Sequence, residues 1–376
     1  MNVPSEVVEG ALHRYLLSFS QEFIKQTKDV TFNYKNIQCF HLISFLTNLT
    51  ELNLFANQIS EISTISKLIN LKKLNLRRNR VEDISALQYL PDLTHLDLQQ
   101  NILTSYTFVL PNLVELSLRS NILKDKSGIE HSPKLQDLNL SETKIVDLRT
   151  IPHSLYNLKA LELYRNNITE ISYISNFVSL QSVNLRNNQQ LQNIEPLKDC
   201  IQLIQLNITD SSVADIWSLQ FMANLKSLDM CNTQVIDLHP LQHLYKLESI
   251  YAFRAQIIDV SPLSNLPKLK SLLFSGNKII NGETLKHHTN FIKFDLSDQK
   301  LPTPDELKFY NKILSVHSSH EQIRKIMIRK IQAVNRASKF RESLTHQKEY
   351  FNKQIQYMNM KIELWVEFIQ NSSADQ

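Results

Sequence analysis

Glycine is scarce, with four in 376 residues. A phosphate-cradling loop or dinucleotide fingerprint needs two or three within six residues, and no such cluster occurs. Cysteine is scarcer still. Cys39, Cys200 and Cys231 are odd in number and far apart, which argues against a disulfide framework and for a reducing, intracellular compartment. No apolar run approaches the length of a membrane span. The first residues lack the basic start and apolar core of a secretory signal; Val8, Leu12, Leu16, Phe19 and Phe23 recur instead at helical intervals, predicting an amphipathic helical cap over 1–26. Metal and nucleophile signatures are missing too. The histidines stand singly or as His287-His288, with no H-E-x-x-H, C-x-x-C or G-x-S-x-G, and a solvated face explains Asp295 and Asp298 better than a catalytic dyad. No catalytic, cofactor or metal residue is therefore expected, and an enzyme is disfavoured.

Net charge is modest at +4 and unevenly placed. From Leu301 onward there are 12 Lys and Arg against 8 Asp and Glu, while the preceding 300 residues hold 29 of each. The first 300 residues are thus neutral and the remainder basic, which speaks against nucleic-acid binding by the body of the chain.

What is abundant is leucine, in register. The segments LTELNLFANQI (from Leu49), LKKLNLRRNRV (Leu71) and LTHLDLQQNIL (Leu93) begin a series of twelve copies that ends with FIKFDLSDQKL (Phe291). Most steps are 22 residues, one is 20 and two are 23, and a degenerate thirteenth copy precedes them at Val30. The alternating L-x-L core predicts a short strand with one buried face. An asparagine slot follows at Asn57, Asn79, Asn101, Asn121, Asn166, Asn188 and Asn277, its amide expected to turn inward and satisfy backbone groups. Hydroxyls replace it at Thr143, Ser211 and Thr233, and Ala255 leaves the turn weakest. One unit cannot bury its leucines alone, so neighbours stack into a parallel concave sheet, about 55 Å long at ~4.8 Å per strand.

The second half of each unit, as in IIDVSPLSNLPKLKSL from Ile257, carries an I-x-D-I-x-x-L-x-x-L pattern. It resembles the leucine-rich-repeat subclass that includes the regulatory subunit of protein phosphatase 1, and bacterial internalins share it. The resemblance covers roughly residues 30–301. It implies an α/β solenoid, a horseshoe with a parallel concave sheet spanning 27–301, and a protein–protein interaction role. A protein phosphatase 1 catalytic subunit is one partner it implies, although the strand position Asn53, Asn75, Asp97, Ser117, Asn139, Glu162, Asn184, Asn207 and Asp229 is mostly neutral, where that family carries matched acidic and aromatic columns.

After Leu301 the period stops, and residues 302–376 read as a helical cap and tail. Thr303-Pro304-Asp305-Glu306 and Ser319-His320-Glu321-Gln322 are capping boxes. The stretch 323–341 holds seven basic residues and no acidic one, and Ile331, Gln332, Arg336 and Arg341 fall at the spacing of the IQ motif. That motif's resemblance implies binding of calmodulin or another EF-hand protein, as in centrosomal and ciliary proteins that combine both features; a solvated basic helix is the plainer alternative. Leu344, Phe351, Ile355, Met358, Ile362, Trp365 and Ile369 form a coiled-coil seam broken by Lys348, which serves a partner helix or an intramolecular cap.

Within the groove, position 7 counted from each unit's first leucine faces outward. It carries Phe55, Arg77, Arg119, Tyr164, Arg186 and Phe253, with Arg78, Arg165 and Arg254 beside it at position 8. Arginine with aromatics is the mix enriched at interface hot spots, so this column is the expected binding site, centred on Arg119 to Arg186. Scattered surface residues, with the arginines neutralised by Glu51, Glu115, Glu142 and Glu162, are the alternative. The expectation is a non-enzymatic scaffold, cytoplasmic, centrosomal or nuclear, without membrane insertion.

Overall fold

A computed structural model describes residues 26–38, 41–288 and 291–299. The chain divides into two compact units, Met1–Leu301 and Pro302–Gln376, and all described residues belong to the first. Residues 1–25 of the cap expected over 1–26, Cys39 and the whole tail, including Ile331, Gln332, Arg336 and Arg341, lie outside them.

Thirteen three-residue strands form one parallel sheet in strict chain order. They are β1 (Asp29–Thr31), β2 (Glu51–Asn53), β3 (Lys73–Asn75), β4 (His95–Asp97), β5 (Glu115–Ser117), β6 (Asp137–Asn139), β7 (Ala160–Glu162), β8 (Ser182–Asn184), β9 (Gln205–Asn207), β10 (Ser227–Asp229), β11 (Ser249–Tyr251), β12 (Ser271–Leu273) and β13 (Lys293–Asp295). Equivalent positions pair without a slip, as in Leu52↔Leu74 and Leu228↔Ile250. The degenerate first copy supplies β1, paired with β2.

The register follows from burial. Position 4 points inward and is 2% exposed or less from Leu52 to Leu272, so a one-residue slip would turn every leucine to solvent. Phe294, the same position on β13, is 48% exposed, because no described strand covers it on the far side. The return segments differ from the expected α/β pattern. Among the described residues they are 3₁₀ turns of three to five residues, such as Ser63–Lys67 and Glu195–Asp199, except between β4 and β5, where the return is irregular, and no α-helical element joins two strands. A 22-residue period leaves too little chain between strands for α-helical turns, and the tighter coil puts one apolar residue per turn, such as Ile65 or Leu197, into the core.

The asparagine slot performs as the sequence implies. Asn188 is fully buried; its amide donates to the carbonyls of Leu163 (3.0 Å) and Leu185 (2.8 Å), and its oxygen accepts the Ile168 N–H (3.1 Å). One side chain thereby stitches two repeats. Thr143, Ser211 and Thr233 reach only the carbonyl three residues back, at 2.6, 2.6 and 2.8 Å. Ala255 reaches nothing, but Asn277 of the next repeat takes the Ala252 carbonyl at 2.7 Å.

Position 8 is left-handed in repeat after repeat, from Ala56 (φ 56°) through Arg165 (φ 57°) to Arg254 (φ 51°), and is glycine only at Gly276 (φ 75°). The chain reverses out of the strand here, so the conformation is imposed by the fold. Glycine is required for another reason at Gly128. A Cβ there would stand 2.6 Å from the backbone nitrogen of Phe108, where the 20-residue repeat draws two turns together.

Candidate protein-binding face

Positions 3, 5 and 7 of each repeat line the concave face. Position 5 has a structural duty that sequence reading missed. Asn53, Asn75, Asp97, Asn139, Asn184, Asn207 and Asp295 each accept the backbone N–H two residues on, at 2.8–3.1 Å. The cue was available, since an Asx side chain closing its own turn is a local pattern. Alternation alone marks these residues only as outward-facing. Where Glu162 takes the slot, the Tyr164 N–H goes instead to the Ser141 hydroxyl of the preceding repeat, 3.1 Å away.

The position-7 column is a set of arginine–aromatic stacks. The Arg119 and Arg186 guanidinium carbons lie 5.5 and 6.0 Å from the Tyr164 ring centroid, within cation–π range. Arg119 also pairs with Glu142 at 3.0 Å, and Arg186 with Asp210 at 3.4 Å. The Ser120 hydroxyl, donating to Glu142 at 2.5 Å, and the Arg119 guanidinium hold that carboxyl below its ordinary range. A second stack joins Arg77 and Arg78 to Phe55 at 5.5 and 5.7 Å, with Tyr34 edge-on at 5.0 Å.

The fold thus assembles Arg119, Tyr164 and Arg186 into one cluster, and Phe55, Arg77 and Arg78 into another. Arg165 and Arg254 stand exposed at left-handed turn positions, outside both stacks, and Phe253 is half-buried farther along. Of the acidic neighbours, only Glu142 pairs with an arginine of the column. Glu51 binds Lys73 at 2.6 Å, Glu115 lies 3.4 Å from His95, and Glu162 accepts from Asn184 at 2.8 Å.

The floor beside these stacks forms a concave depression of about 600 Å³ along β1–β7. Its position-3 and position-5 carboxylates are Asp29, Glu51, Asp97, Glu115, Asp137 and Glu162. Burial raises the Asp97 carboxyl above its ordinary value, and burial with the like charge of Glu115 raises Asp137. Among the described residues no group of His, Cys, Asp or Glu is placed to hold a metal ion, and no helix is long and apolar enough to cross a membrane. Cys200 is buried and Cys231 half-buried, both free thiols, and burial pushes the Cys200 thiol up to about 12, away from nucleophilic use.

A model of paired leucine-rich repeats matches residues 47–89 and 69–110. Among solved structures, an internalin (inlF) from Listeria monocytogenes is similar at 29% identity and a TM-score of 0.72, over 81% of this chain and 92% of that one. A leucine-rich-repeat protein of Leptospira interrogans is 24% identical with a TM-score of 0.64, over 75% of this chain and 74% of its own. The plant peptide hormone receptor RGFR1, solved in complex with RGF2, shares the fold at 19% identity and a TM-score of 0.54, over 77% of this chain and 55% of its own. No curated protein matches the chain. The solenoid is therefore built of leucine-rich repeats, and proteins so built are generally protein-interaction scaffolds.

Proposed function

We propose that this leucine-rich-repeat protein is a non-enzymatic scaffold that holds a partner protein in its concave groove. The observation that carries the reading is the Arg119–Tyr164–Arg186 stack, half-way along the sheet. Arginine and tyrosine held rigid by one another present a large planar surface whose side-chain entropy is already spent, the chemistry of interface hot spots. Loss of such exposed contacts has little effect on folding.

Affinity purification with the full chain as bait, followed by mass spectrometry, tests the reading. Tyr164→Ala with Arg186→Ala is expected to weaken capture of the groove's partner at least tenfold, about 1.4 kcal/mol or more, with Tm within a degree or two. Capture of the same proteins at unchanged strength would move the site elsewhere.

The IQ-like residues favour a second contact. The apolar stripe Ile323, Met327, Ile331 and Val334 with its flanking cations suits an EF-hand groove with acidic rims. Titration of the full chain with calmodulin is expected to release heat that Ile331→Asp with Arg336→Glu abolishes; no heat with or without calcium removes this reading. Recovery of a protein phosphatase 1 catalytic subunit in the purification would favour the regulatory-subunit alternative. The concave face gives that less support, since its position-5 residues are mostly committed to the chain's own turns.

A further inference from the structure

The concave face changes character along its length. At positions 3 and 5, β1–β7 place six carboxylates against Lys73 alone, a net charge of −5 with His95 counted neutral, and Arg77 and Arg119 at position 7 bring the face to −3. The same positions on β8–β12 hold one carboxylate, Asp229, and no base. On β11 and β12 position 5 becomes Tyr251 and Leu273, both half-buried, with half-buried Phe253 adjoining. The groove is therefore acidic in one half and apolar at the far end of the other.

Both departures run against the needs of the fold. At position 5 asparagine closes the turn without burying charge, as Asn53, Asn75, Asn139, Asn184 and Asn207 do. Asp97 makes the same bond to the Gln99 N–H at 3.0 Å while carrying a charge that burial penalises. Tyr251 and Leu273 give up the turn-closing acceptor altogether and set apolar atoms where other repeats have amides. The chain supplies only part of the missing charge: Arg77 pulls on Asp97 but does not offset the burial of that carboxyl. Its central arginines are committed to Glu142 and Asp210, and Lys73 to Glu51. Around Asp137, burial and the repulsion of Glu115 outweigh the pull of Lys159. The unmet demand of this face is positive charge at one end and apolar surface at the other.

We propose that the groove's occupant is a segment of a partner protein that lays lysines or arginines over β1–β7 and ends in aromatic or aliphatic side chains against Tyr251, Phe253 and Leu273. This rests on the scaffold reading above and names the chemistry of its ligand. Eleven strand steps of ~4.8 Å span about 53 Å, the reach of roughly 16 extended residues. Cations steered by the acidic half fix register and direction, and the apolar end slows release.

The probe is a fluorescein-labelled 16-residue peptide with lysine at alternate positions through its first ten residues and Leu-Phe-Leu-Phe at its end. Its counterparts carry glutamate for lysine, or serine for the apolar end. Fluorescence polarisation with the full chain at low salt is expected to rank the lysine–apolar peptide at least tenfold tighter than the glutamate peptide, and severalfold tighter than the serine-ended one. The triple variant Asp97→Asn, Glu115→Gln, Asp137→Asn should weaken binding at least tenfold and flatten its salt dependence. The same charge change on the return segments, Glu61→Gln, Asp83→Asn and Glu130→Gln, should leave it within twofold. Thermal melts of both triples identify any loss that is merely unfolding. Equal binding of the glutamate peptide, equal effects of the two triples, or no effect of the floor triple would each overturn the proposal. A natural partner captured through Tyr164 and Arg186 yet indifferent to the floor triple would leave the scaffold reading standing and this inference refuted.

Discussion

Asn188→Ala puts the stitching of the solenoid to its sharpest test. The fully buried amide makes three hydrogen bonds, two to carbonyls of successive repeats and one from the Ile168 N–H. An alanine cannot replace any of them. Each bond contributes about 1 kcal/mol net, and a buried group left unsatisfied costs about 1–3 kcal/mol. A loss of roughly 3–5 kcal/mol is expected, a large share of a typical domain's stability. The threonine variant provides the internal control. At Thr143 and Thr233 a hydroxyl satisfies the carbonyl three residues back, so Asn188→Thr should retain that bond and lose about half as much. Urea unfolding followed by circular dichroism measures both, with an unchanged m-value showing that the same cooperative unit unfolds. An alanine loss below about 1 kcal/mol, or a threonine variant as damaged as the alanine one, would refute the account.

Three further substitutions probe other levels. Leu161→Ala, at a completely buried position-4 residue, should cost about 2–5 kcal/mol in the same assay; a cost under about 1 kcal/mol would mean the strand register is wrong. Ala56→Gly, at φ 56°, should stabilise by about 0.5–1 kcal/mol, since the left-handed penalty of an L-residue exceeds glycine's entropy, and a net loss would contradict the turn geometry. Asp97→Asn should be more stable than the parent at pH 7. Burial raises the Asp97 carboxyl above its ordinary value of 3.8, so its contribution is full below that value and lost as pH rises through the folded-state value. The variant's advantage should therefore vanish on acidification towards pH 3.8, and an advantage that grows instead would reverse the sign of the argument.

The leucine period by itself determined the sheet. Twelve copies at a near-constant step allow one solution in which every L-x-L buries one face, and the inward amide of the asparagine slot followed from its apolar surroundings. The degenerate copy at Val30 was legible as a strand for the same reason. The candidate column Phe55, Arg77, Arg119, Tyr164, Arg186 and Phe253 could be placed on one face by counting, because strand side chains alternate.

What counting could not supply was contact between residues some twenty positions apart. Only the stacked repeats bring Arg119 and Arg186 over the Tyr164 ring and commit them to Glu142 and Asp210, while leaving Arg165 and Arg254 outside the stacks. The return segments were likewise decided in three dimensions, since spacing of apolar residues alone does not separate a 3₁₀ turn from one turn of α-helix. Position 5 reads along the chain as a neutral outward column. Its amides prove to be occupied by their own turns, and the few repeats that abandon asparagine set the groove's charge and apolar end. A linear pattern reports which face a side chain takes. Its neighbours, and the charge they leave unbalanced, are fixed only when the repeats stack.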